Sequence, residues 1–317
     1  MTSLDGLVDA FLQRMRKTIL PFWASQGFDS AAALFGERTD LNGKLVRDVP
    51  HRAMVQARQI YVYSDAERTG ENPGYGEQAI QSLDNLLSRF SDKNDLQKGI
   101  AFSVSVDGAI TSFDRSAYTH AFVLFALASA FRLTRDTRLL RAIESLVKFV
   151  DEYLGDNQAG GLFNRYPSPE IFKRQNPTMH MLEAYLALHE ALPSGHFLER
   201  ATAIVRLFRE RLFQPDLGVI FEIYQADWQP ERRTPDLYFE PGHQFEWAWL
   251  LSKYDMLSGS DHSYFCDRLW QAACRNQSTF PFLCPDEVAI DPTLSKHTSR
   301  LWPHTEGIRA AICQYER

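Results

Sequence analysis

The chain has 317 residues, a formal net charge of −6, and 44% hydrophobic against 23% charged residues. That balance excludes disorder and collagen-like order, and the acidic excess argues against a phosphate-backbone binder, which needs clustered Lys and Arg. Aromatic residues reach 13%, which suits a large core or a pocket that stacks on a ring-shaped ligand.

In chain order, the apolar spacing predicts helices over 4–24, 48–68, 75–91, 115–134, 137–154, 177–191, 195–213, 241–258, 260–275 and 302–316. The first is broken by Asp5, Asp9, Arg14, Arg16 and Lys17, so it reads neither as a secretory signal nor as a membrane span. No run approaches the roughly 18 to 20 apolar residues that a bilayer needs, and no membrane partner is expected. Short β-like pieces lie between helices at 100–106, 160–166 and 218–224. Asp136 caps the 137–154 helix, Ser260 and Asp261 the 260–275 helix, and Asn176 stands as a cap beside a first-turn Pro177. The cysteines, Cys266, Cys274, Cys284 and Cys313, fall in the last fifth of the chain with no CxxC pair. That pattern predicts neither zinc nor disulfides but reduced thiols in a cytoplasmic protein.

Ten helices with no long strand predict a single all-α domain over 1–317. Arg52, Tyr118, His180, His243 and His304 sit at the entries of alternate helices, with separations of 66, 62, 63 and 61 residues. This period reads as a helical-hairpin repeat of about 60 residues. Such hairpins can stack in line, or close into a ring whose inner helices bring these residues to one mouth. The aromatics around them, Tyr118, Phe245, Trp247, Trp249 and Trp302, favour the ring.

Several of these residues carry usable chemistry. Arg52 suits sugar hydroxyls or an oxyanion, with Gln56 or Arg58 behind it; ordinary surface charges would look the same. Tyr118 can donate into a pocket or be satisfied in the core, and His120 reads as structural. His180 with Glu183 and His243 with Glu246 are i,i+3 pairs in which the carboxylate can orient the imidazole and raise its basicity. A metal reading is weaker, since no HExxH occurs and no further carboxylate ligands stand out; neither metal nor cofactor is expected. Trp302 offers a stacking wall. His304 and Glu306, two apart, cannot both face the site.

Together the segments RAMVQARQIYVYSDA (52–66), YTHAFVLFALA (118–128), NPTMHMLEAYLAL (176–188), EPGHQFEWAWLL (240–251) and RLWPHTEGIRAA (300–311) resemble the N-acylglucosamine 2-epimerase superfamily, in particular its mannose isomerase-like branch. The resemblance implies an (α/α)6 toroid, here with about ten of twelve helices, and a pocket for a free monosaccharide. It implies Arg52 on a substrate oxygen, Asn176 and His180 on sugar hydroxyls or in ring opening, and His243 as base oriented by Glu246. Tyr118, Trp302 and Glu306 complete the expected binding set. The family's second catalytic histidine would follow the 300–311 segment and has no counterpart before Arg317, which favours aldose–ketose isomerisation over 2-epimerisation, with a truncated, weakly active or carbohydrate-binding relative as the third reading. An open ring would bare apolar flanks, from which association (a homo-oligomer among the outcomes), poor solubility or a longer natural chain is expected.

Overall fold

Helices make up 59% of the chain. The computed structural model describes residues 4–70, 74–167, 170–231, 237–275, 283–291, 295–296 and 298–317. These fall into two compact units, residues 1–154 with 165–167, and residues 155–164 with 168–317.

The first unit holds α1 (Leu4–Arg14), α2 (Leu20–Ser25), α3 (Ala53–Arg68), α4 (Gly76–Arg89), α5 (Ala117–Thr134) and α6 (Arg138–Phe149). A widened turn at Met15–Ile19 joins α1 to α2, so the expected 4–24 helix is one run with a bulge. Helix α5 is buried on nearly every side, from Ala117 to Phe131, and packs against α3. By length and composition it alone among the described helices could cross a bilayer, but it is a core helix, mostly covered by protein. By contrast α4 and α6 bury one stripe each. Leu83 and Leu86 lie on one face of α4; Leu139, Ile143 and Leu146 lie on one face of α6.

The second unit repeats the scheme with α7 (Gln175–Ala191), α8 (Phe197–Leu207), α9 (Pro241–Ser258), α10 (Ser263–Arg275) and α11 (Trp302–Glu316). Helices α7 and α9 are buried nearly all round, whereas α8 and α10 are one-sided. Helix α9 packs against α7, α10 and α11. Helix α11 buries little besides Pro303 and Ala310 and leaves Ile308, Ile312 and Tyr315 exposed. All four cysteines are free thiols, and burial raises Cys266 to about 11 and Cys284 to about 12.

A polar side chain near the start of four helices holds a backbone peptide 20 to 24 residues upstream. Gln56 of α3 accepts from the Phe35 N–H (2.8 Å) and donates to its carbonyl (2.7 Å). Gln244 of α9 does the same at Ile220, at 2.9 and 3.1 Å. His120 of α5 accepts from the Ile100 N–H through Nε2 (3.0 Å) and turns Nδ1 to the Ser116 carbonyl (2.7 Å). His304 of α11 accepts from the Cys284 N–H (3.0 Å) and turns Nδ1 to the Arg300 carbonyl (3.0 Å). Each ring is therefore the neutral Nδ1–H tautomer, with both nitrogens spent on backbone. His304, expected at the mouth, is a structural pin. Gln56, considered as support for Arg52, is one too.

The caps divide. Asp136 accepts from the Arg138 N–H and Asp261 from the Ser263 N–H, both at 2.9 Å. Asn176 is not a cap, because the strand 172–174 runs straight into α7 with Arg174 as the extended N-cap residue.

Burial of His120 lowers its pKa to about 4 despite the Ser116 carbonyl. The unfolded chain takes up this proton below about 6.5 and the fold does not. The ring's contribution is therefore complete above that pH and shrinks on acidification, by about 1.4 kcal/mol per unit at most down to about 4. Urea melts between pH 7 and 4.5 should show this loss, and His120→Ala should remove it. At pH 7 the substitution should cost about 2–5 kcal/mol, since it orphans the buried Ile100 N–H and empties the space of a fully buried ring.

Candidate active site

Two clusters in the second unit bring together side chains expected to do chemistry. The first is built on α9. Its N-terminus is fed by the strand 238–239, and His243 lies in the first turn with 4% of its surface exposed. The i,i+3 rule suggested Glu246 as its orienting carboxylate. The structure corrects this: His243 Nδ1 lies 2.9 Å from Glu222 Oε2 and 3.9 Å from Glu240 Oε2. Its Nε2 has no hydrogen-bond partner among the described residues.

Glu222 follows the strand 219–220. It accepts three hydrogen bonds: from His243, from Gln175 Nε2 at 3.0 Å, and from the Glu240 backbone N–H at 3.1 Å. Burial alone would push its pKa up, but the His243 charge and these donors hold it below the usual carboxylate range. His243 responds in kind. Burial opposes its charge, yet Glu222, then Glu240 and Glu246, raise it to about 9. Glu240 is pushed up to about 7 by burial and by Glu222, against the pull of His243 and Arg300.

Trp302 covers this cluster. Its ring centroid lies 5.0 Å from that of His243, the planes inclined by 43°. Gly242 makes room, because a Cβ there would come within 2.5 Å of the indole and 3.0 Å of Pro303. Arg300 flanks the indole, with one nitrogen 3.0 Å from Asp286 and another 3.4 Å from Glu240.

The second cluster spans α7, α9 and α11. His180 Nδ1 lies 3.2 Å from Glu183 and 3.5 Å from Glu246. The His180–Glu183 pair is thus formed as the spacing suggested, and Glu246 serves His180. Burial, with Glu306 and Glu183 nearby, raises the Glu246 pKa well above the ordinary carboxylate range. Glu306 accepts from Trp249 Nε1 at 2.8 Å. Arg309 lies over the Trp249 ring, 3.4 Å from its centroid, 3.4 Å from Glu306 and 3.9 Å from Glu183. Asn176, one turn before His180, has a buried Oδ1 without a partner among the described residues.

In the first unit Arg52 is half exposed and bound to Glu37, through its backbone N–H and through Nε at 2.8 Å. Tyr118 meets Arg58, whose guanidinium donates to its hydroxyl (3.2 Å) and lies 4.1 Å from the Phe122 centroid. Two groups could gather ligand atoms round a cation, His180 with Glu183 and Glu246, and Glu222 with Glu240 and His243. In each the imidazole Nδ1 already faces carboxylates. Motif reasoning missed Glu222, Gln175, Glu240 and Arg309. The one sequence signal for Glu222 was a lone acid inside the apolar run GVIFEIY.

The fold is that of the helical-toroid sugar epimerases and isomerases. A cellobiose 2-epimerase from Bacillus thermoamylovorans B4167 superposes with a TM-score of 0.86 at 20% identity, over 99% of this chain and 83% of that one. A D-mannose isomerase superposes at 0.85 and 20%, over 97% and 81%. In sequence, the chain is 28% identical over 304 residues to a mannose-6-phosphate isomerase of Rhizobium meliloti (strain 1021), covering 92% of this chain and 76% of that protein. Residues 35–317 match the N-acylglucosamine 2-epimerase (GlcNAc 2-epimerase) family, and the chain belongs to that family of sugar isomerases and epimerases.

Two substitutions probe the site. Glu246→Gln replaces a carboxyl whose charged form is disfavoured by burial and by Glu306 and Glu183, and should change stability by less than about 1 kcal/mol in a chemical melt. Gly242→Ala must displace the Trp302 indole. It should raise the KM for sugar severalfold more than it lowers melting stability, measured by steady-state kinetics beside calorimetry.

Proposed function

We propose that the protein interconverts a free aldose and its ketose, as in mannose to fructose, through a cis-enediolate. The observation that carries this reading is His243, buried with Nδ1 on Glu222 and with Nε2 unbonded beneath Trp302. After ring opening, Nε2 takes the C2 proton while the carbonyl oxygen becomes an enediolate oxygen. The C2 hydroxyl proton passes to the C1 oxygen, and the same nitrogen returns a proton to C1 as the C2 oxygen becomes the ketone. An imidazole made more basic by a carboxylate suits so weak a carbon acid. The developing oxyanion needs fixed donors. Asn176, whose buried Oδ1 lacks a donor among the described residues, supports binding of a sugar hydroxyl beside His180. Trp302 is the stacking wall.

A second reading, 2-epimerisation, needs an acid on the opposite face of C2. The second imidazole–carboxylate pair, His180 with Glu183, supports it.

Incubation with mannose in D2O separates the two. Fructose carrying deuterium at C1 is the expected product; glucose carrying deuterium at C2 would establish the epimerase reading. Mannose 6-phosphate, run in parallel, shows whether the sugar must be free. Absence of any product from these sugars would sink both readings. His243→Ala should lower kcat by about 10²- to 10⁴-fold. Because His243 is protonated up to about 9, and only its neutral form is a base, kcat/KM should rise about tenfold per pH unit below that value and level off above it.

A further inference from the structure

We propose that Glu222 is the positioning residue for His243, and that a fixed hydrogen-bond chain from Trp247 through Gln175 to Glu222 leaves His243 Nε2 bare whenever the ring is neutral. This deepens the proposed function and rests on His243 being its base.

The chain has one direction only. An indole N–H can donate but not accept, so the 2.7 Å contact from Trp247 Nε1 must end on Gln175 Oε1. That fixes which end of the Gln175 amide faces Glu222, and the NH2 end donates to Glu222 Oε2 at 3.0 Å. The Gln175 backbone N–H points to the Glu222 carbonyl (3.4 Å), and the Glu222 N–H to the Tyr238 carbonyl (3.3 Å), so residue and carboxylate are held together. The other carboxylate oxygen accepts from the Glu240 N–H. An ionised carboxylate can only accept, so the ring atom facing it, Nδ1, must carry a proton. When the neutral ring keeps one proton it keeps it there, and Nε2 is left with its lone pair. Trp247 and Gln175 are fully buried, and the Trp247 ring stacks on Phe208 with centroids 4.7 Å apart, so the far end of the chain cannot swing away. Glu240, Glu246 and Trp302 also face His243. None has the hydrogen-bond distance to Nδ1 that Glu222 has.

The test compares the wild-type protein with Glu222→Gln and Trp247→Phe. In Glu222→Gln the amide keeps the shape but loses the charge and can present N–H to Nδ1. The pH–rate limb should move down by more than one unit, and the high-pH plateau of kcat should fall about 10²- to 10⁴-fold, with KM within about threefold. Trp247→Phe keeps a ring and removes the one donor that orients Gln175. A smaller fall in kcat, again with little change in KM, is expected. Nitrogen-15 spectra of the imidazoles, with His243 assigned by His243→Asn, give a readout without turnover. Above the titration midpoint the wild type should show Nδ1–H alone, while each variant should show a mixture, and in Glu222→Gln the midpoint should drop. An unmoved midpoint and an unmixed tautomer in both variants would overturn the proposal. Should the wild type turn over no sugar, the functional reading fails, and these spectra still decide the role of Glu222. If Glu222→Gln does not fold, Trp247→Phe carries the test.

Discussion

An ionised carboxylate, Glu222, sits in the interior of the second unit with 4% of its surface exposed, and the geometry round the His243 imidazole follows from keeping it charged there. Burial of an isolated carboxylate is expensive, and the ordinary escape is protonation. Here three donors close on it, from the side chain of α7, from the backbone at the entry of α9, and from His243. Removing any one leaves the charge less compensated, which is why a buried pair is costly to break even where it adds little net stability. The elements that supply those donors are thereby held in register by the same group that orients the imidazole.

Glu246 has the opposite solution a few residues along. It is as buried as Glu222, but its neighbours include the carboxylates of Glu183 and Glu306, and its pKa is raised well above the ordinary range. Two carboxylates within one helical unit are thus driven apart in pKa by their partners rather than by depth. Sites that divide acid and base work commonly show this separation. One imidazole faces an anion and gains basicity. The other faces Glu183 together with Glu246, a carboxyl whose charged form is disfavoured by burial and by its acidic neighbours.

The helices were legible because burial stamps the 3.6-residue period on the sequence, and even the contrast between α5, apolar all round, and the one-sided α6 could be read from it. The repeat near 60 residues was legible too, although part of its meaning was not. Gln56, His120, Gln244 and His304 recur at helix entries because each satisfies a backbone peptide some twenty residues upstream. That need keeps polar residues at helix entries, and His304 met the repeat criterion for this reason, with both nitrogens already spent. Glu222 and Gln175 escaped notice for the converse reason. Their partners lie 47 residues apart in the chain, and no local spacing records such a contact. The Asn176 cap failed because a short strand, not a loop, leads into α7, and Arg174 already supplies the extended residue a cap would provide.

The ion pair also sets a compromise in the chemistry proposed for His243. A stronger base takes a carbon-bound proton more readily, but the same negative charge that strengthens it keeps it protonated to higher pH, so fewer molecules hold the base form at neutrality. Glu240 bears on that balance, since with a pKa near 7 it changes charge in the range where His243 is still protonated. As Glu240 ionises it adds a second anion 3.9 Å from the ring and deepens the retention of the proton, while Arg300, 3.4 Å from the same carboxylate, takes up part of that charge. The basicity of the imidazole is therefore tuned by a triad in which Glu222 fixes direction and Glu240 with Arg300 adjusts strength. A lone histidine, with an ordinary pKa near 6.5, would be more available at neutrality and less able to carry out the proton abstraction.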